Sequence, residues 1–285
     1  MDFFNSFFLM AILGGILSSI ASGIMGSFVV IKKLSSLSGS IAHSVLGGIG
    51  ISLWMKYNLH FSWIDPFYGA MIASLLSAIL IGYVHLNFKQ KEDALIATIW
   101  STGMALGIIF ISMIKGYKVD FENFLFGNIL LITQHHLILL SILDIVIIVV
   151  LLFFFQQFLA IAFDEEMAYL QGVKVSLIYF LLLSLISLSI VLLIQIIGTI
   201  LVIALLTIPP TIVRMYTKKL ITILLSSVLL TIFLNIAGIT LSYFCNTPPG
   251  ATIAISAAGL YILALIIKKR VQFYNREKSL EDSIK

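Results

Sequence analysis

Apolar residues fill this chain in long runs, each closed by a short polar joint. A helix crosses a bilayer with about 17–25 mostly apolar residues. Nine stretches read as spans: Phe7–Ile31, Ser36–Met55, Pro66–Leu86, Ala94–Ile114, Leu137–Phe163, Val175–Ile194, Gly198–Val213, Leu220–Phe244 and Ala251–Ile267. The sixth and seventh join through Gln195-Ile196-Ile197-Gly198, with almost no loop between them. Between Ile114 and Leu137 the chain reads KGYKVDFENFLFGNILLITQHH. Its apolar part, Phe121–Thr133, is too short to cross and predicts a re-entrant or interfacial piece. The predicted fold class is all-α, a polytopic membrane helix bundle of about nine spans. It forms one domain over residues 1–285, with a polar, frayed tail at 268–285.

Small residues recur at a spacing of four within the first two spans. Gly14, Ser18, Ser22 and Gly26 form one stripe, and Gly15, Ser19, Gly23 and Ser27 a second beside it. The second span repeats the device with Ser36, Ser40, Ser44, Gly48 and Ser52, next to Gly39, His43 and Gly47. Residues four apart share a helix face, and small side chains let backbones approach closely. Gly39, Gly47 and Gly48 are therefore predicted packing positions. The same face turns His43 toward the bundle interior.

Composition agrees with the pattern. Of the 285 residues 60% are apolar and 11% charged, against about 45–50% and about 25% in soluble domains. The start, MDFFNSFF, has no basic segment and carries Asp2, so it reads as the beginning of the first span and not as a cleaved leader. With the N-terminus outside and the C-terminus cytoplasmic, all seventeen Lys and Arg except Lys56, Lys115 and Lys118 fall on the inner side. That asymmetry reports orientation in a cytoplasmic membrane, not nucleic-acid binding. Cys245 stands alone, so no intrachain disulfide is expected.

Motifs for chemistry are sparse. GxxxxGK[ST], HExxH and GxSxG are all missing, so nothing points to a nucleotide-binding loop, a zinc protease or a serine hydrolase. Asp144 is the single acid inside a predicted span. His43 admits two readings: a packed residue bonded to a carbonyl or serine, or a contact on a permeation path. FDEEMAYLQGV, Phe163–Val173, reads as a short helix with Asp164 as N-cap, Glu165 and Glu166 in its first turn and Gly172 ending it. Three acids on a basic face also suit docking of a partner. Pro209-Pro210 predicts a helix break, with Arg214 beyond it near the interface. His60, His135 and His136 lie on the outer side.

Taken in order, GSFVVIKKLSSLSGSIAHSVLGGIGISLW, FLFGNILLIT, FDEEMAYLQGV, GTILVIALLTIPPTIVR and TPPGATIAISAAGL resemble the permease subunits of zinc, manganese and iron importers of the ATP-binding-cassette type. The resemblance implies a non-enzymatic pore, paired with a second copy of itself. A separate ATPase would dock beneath it, and a periplasmic or surface metal-binding protein would deliver the ion. It implies coupling to the ATPase through Asp164, Glu165, Glu166, Ala168 and Gly172, and a metal contact at His43, with Asp144 a further candidate. No cofactor is expected to stay bound. Many members carry aspartate four residues before this histidine, where this chain has Gly39. Zinc normally takes about three or four protein ligands, so other groups must complete any site. A lone imidazole favours zinc over manganese as cargo. An ion-coupled secondary transporter would want buried acids and two related halves, and a membrane enzyme would want a nucleophile beside His43; neither pattern is evident.

Overall fold

The computed structural model describes residues 2–61, 63–88, 92–114, 127, 129 and 132–284. Among these the regular elements are helices: α1 (Asp2–Ile31), α2 (Ser35–Asn58), α3 (Pro66–Asn87), α4 (Glu92–Ser112), α5 (Gln134–Phe153), α6 (Phe155–Phe163), α7 (Glu165–Leu170), α8 (Val175–Ile197), α9 (Thr199–Arg214), α10 (Leu220–Cys245) and α11 (Pro249–Ile284). Eight of the described helices are long and apolar enough to cross a membrane. The remaining predicted span is α9, whose 16 residues reach only about 24 Å. It packs against α1, α2, α8, α10 and α11, and most of its residues are buried or half-buried among them.

The spans differ widely in how far they are enclosed. The least hydropathic span, α2, is the most enclosed, 78% of its apolar window being buried, whereas the strongly apolar α5 is only 22% buried. Leu152, Phe153, Leu229, Phe244 and Ile255 form part of the outer apolar surface that lipid covers.

Glycine sets the distance between the central helices. A Cβ added at Gly47 would stand 2.8 Å from the Gly103 carbonyl oxygen, and one at Gly48 would stand 2.1 Å from that of Gly69. Gly50 meets Gly107 in the same way. α2 is thus clamped between α3 and α4, backbone on backbone. On the other side, Gly15 and Gly23 of α1 lie against Asn235 and Val228 of α10. The Asn235 Nδ2 amide donates to the Gly15 carbonyl and the Ser19 hydroxyl, both at 2.9 Å, giving its N–H groups partners that lipid could not.

Three expectations need correction. Leu137–Phe163 is not one helix: it divides at Phe154 (φ −110°, ψ 18°) into α5 and α6. Unbroken, it would run about 40 Å, longer than the roughly 30 Å hydrocarbon core. Beyond the break, Phe158 of α6 packs against Phe28 of α1 at 5.6 Å between ring centroids. Pro209 and Pro210 do not break the helix, since both lie inside α9. Pro210 has no amide for the Leu206 carbonyl, and Gly26 covers that oxygen: a Cβ there would be 2.4 Å from it. The tail predicted to fray from residue 268 continues helically to Ile284. No Gly or Pro follows Gly259 to stop it. Most of the predicted re-entrant piece lies outside the described residues. Of those described within it, Ile129 and Ile132 are buried, and Gly127 (φ +63°) packs on the Ile197–Gly198 joint.

Candidate functional site

His43 lies on α2 and stacks on Trp100 of α4, ring centroids 4.6 Å apart and planes 20° from parallel. Gly39 makes room for that indole: a Cβ there would be 3.0 Å from the Trp100 ring. The position where an aspartate would complete an i, i+4 pair is therefore occupied by an aromatic ring from the neighbouring helix. Trp100 is 40% exposed and forms the outer wall of the histidine. The His43 Nδ1 atom is buried and has no hydrogen-bond partner among the described residues. A packed histidine would be expected to make such a bond, so this nitrogen keeps His43 a candidate for a functional position. Sequence reading missed Trp100, which carries no motif and is separated from His43 by the whole of α3.

Asp144 sits elsewhere. Its buried carboxylate lies against the Ala21 backbone of α1 without a hydrogen bond of good geometry. Among the described residues no three of His, Cys, Asp and Glu gather into a group that could hold a metal ion. At the opposite ends of the spans, His136 closes a capping box with Thr133 at the start of α5, and His60 takes a turn conformation with φ +55°.

The connector α7 is built as its residues require. The Asp164 carboxylate accepts from the Glu166 and Met167 amides at 2.9 and 3.0 Å, capping the helix. Gly172, at φ +81°, ends it, and the Val173 amide returns to the Ala168 carbonyl at 3.0 Å. Ala168 is buried beneath the helix. What α7 presents outward is mostly apolar: Met167, Tyr169 and Leu170 are 56, 73 and 77% exposed, with Asp164 and Glu166 exposed beside them. An open groove of about 1000 Å³ runs beside it, lined among others by Tyr169, Gly172, Val175 and Phe180.

Glu165 turns the other way. Its carboxylate takes an ion pair from Lys32 and lies 3.1 Å from the His85 Nε2 atom. Burial raises its pKa, but the hydrogen bonds from His85 and Lys32, with their charges, outweigh that and hold it down at about 2. The folded value lies below the ordinary glutamate value of about 4.3. Its contribution to stability is thus fully present above that ordinary value, and is lost as pH falls toward about 2. Arg214 belongs to the same end of the bundle, where it donates to the Val30 carbonyl at 2.6 Å.

The description "ABC 3 transport family" fits residues 5–268. The chain is 42% identical over 253 residues to the probable metal transport system membrane protein of Chlamydia pneumoniae, covering 89% of this chain and 86% of that one. It is 31% identical to the manganese transport system membrane protein MntC of Halalkalibacterium halodurans, over 93% of this chain and 88% of the relative. Among solved structures it resembles PsaBC from Streptococcus pneumoniae in complex with Fab, with a TM-score of 0.78 and 30% identity over 90% of each chain.

Proposed function

This chain belongs to the ABC 3 transport family, and on that premise we propose that it is the membrane pore of an importer that brings a divalent transition metal into the cytoplasm. Energy comes from a separate ATPase seated on α7, and the ion arrives from a metal-binding protein on the outer side. A second copy of the chain completes the pore. Manganese is the cargo best supported, because a relative covering nearly the whole chain is named for it. Zinc is the second reading, favoured by the imidazole of His43, which no carboxylate four residues earlier accompanies. His43 is the contact on the ion's path, and Asp144 takes no part in that contact.

The observation that carries the ATPase assignment is the outward apolar face of Met167, Tyr169 and Leu170 on a short capped helix. Met167, Tyr169 and Leu170 lie together, and a contiguous apolar patch rimmed by polar residues marks an interaction site. Partner docking thus falls to these side chains, while Asp164 caps the helix. Leu170→Asp tests it. The variant is expected to reach the membrane in normal amount, while the ATP hydrolysis that co-purifies with the tagged chain falls by about tenfold or more. Undiminished hydrolysis would remove α7 as the docking element.

A further inference from the structure

We infer that Glu165 is a positioning residue that fastens α7 to the ends of α1 and α3, so that displacement of α7 reaches the turn from which α2 starts. The inference rests on the proposed function, in which α7 receives the ATPase's motion. Two side chains reach this one carboxylate, and α6 and α8 close around them. Lys32, just past the end of α1, pairs with it and also donates to the Ile161 carbonyl at the end of α6, at 2.9 Å. His85, in the last turn of α3, approaches its two oxygens at 3.1 and 3.3 Å. Tyr179 of α8 forms the floor. It is fully buried, stacks on His85 at 4.4 Å between ring centroids, and has the Lys32 ammonium 5.6 Å above its ring.

The cluster is shielded, which gives it mechanical meaning. Exposed ion pairs contribute little, but the side chains of Lys32, Glu165 and His85 are 10, 20 and 17% exposed. Removing one partner from such a site leaves the other charge stranded. Lys32 is also well placed to pass movement on. The turn after it is tight, with Lys33 at φ +60° and the Leu34 amide donating to the Val29 carbonyl at 2.7 Å. Ser35 then begins α2, and His43 follows about 12 Å along that helix. A shift of α7 carried by Glu165 therefore arrives on the helix that bears His43. Glu166, its neighbour, has its amide on the Asp164 cap instead.

The test uses the tagged chain purified with its ATPase and reconstituted in lipid vesicles together with the metal-binding protein that delivers the ion, with manganese and zinc ions as probes. Metal moved per ATP hydrolysed is the readout, because a merely destabilised chain would lose both together. Glu165→Ala is expected to keep the ATPase bound and hydrolysing while metal moved per ATP falls about tenfold or more. Exchange of the pair, Lys32→Glu with Glu165→Lys, is expected to regain part of the loss. Should Glu165→Ala fold poorly, Glu165→Gln, of the same shape, is expected to show the same uncoupling. An unchanged ratio in either single variant would overturn the inference, and so would loss of the bound ATPase, which would make Glu165 a docking acid. If the unaltered chain bound no ATPase at all, the proposed function itself would fail, a result distinct from either.

Discussion

Gly48→Ala is expected to destabilise the bundle by about 3 kcal/mol or more, although it adds a single methyl group. The new carbon would lie 2.1 Å from the Gly69 carbonyl oxygen and 2.6 Å from its carbon. Both are backbone atoms of α3, which cannot rotate aside as a side chain can. Relief requires α2 and α3 to separate, and α2 is held on its other side by the contact of Gly47 with Gly103. The control is Gly259→Ala in α11, where an added carbon meets nothing within 4 Å. There the alanine should be neutral or stabilising by up to about 1 kcal/mol, as in any helix interior. Thermal unfolding of the detergent-purified variants should separate the two clearly. Equal midpoints would mean that α2 and α3 are not in contact as described.

His43→Ala is expected to lower metal uptake by about tenfold or more while leaving the amount of chain in the membrane close to normal. The two effects separate because His43 does little structural work. Its Nδ1 atom bonds to nothing among the described residues, so its removal strands no partner. What is lost on folding is the stack on Trp100, worth about 1 kcal/mol. Uptake in cells, normalised to the chain detected in their membranes, measures this. Normal uptake would take His43 off the ion's path, and a vanished chain would return it to the role of a packing residue.

The parts of this architecture legible in the sequence were those written in one helix. The spacing of four in GSIAHSVLGG announces a close-approach face, and Asp164 and Gly172 mark the ends of α7. The partners were not legible, because Gly69, Gly103, Gly107 and Trp100 lie on other helices and become neighbours only after packing. The division at Phe154 carries no Pro or Gly to betray it. The proline pair misled for the opposite reason. Its lost hydrogen bond is covered from outside by Gly26, which no rule local to α9 can anticipate. Glu165 is the sharpest case. In a helix of six residues no periodicity tells inward from outward. Only Lys32 and His85, 133 and 80 positions away, fix its direction. Of the three acids only Glu165 turns inward; Asp164 and Glu166 stay exposed, beside the apolar Met167, Tyr169 and Leu170.

The central claim is that this chain carries a divalent transition metal across the membrane. Its most direct test is uptake of radioactive manganese and zinc by cells lacking the gene, with and without a copy returned on a plasmid. Uptake of at least one of the two should fall on deletion, return with the unaltered chain but not with His43→Ala, and cease when cellular ATP is exhausted. Uptake of both metals that is indifferent to the presence of the chain would contradict it.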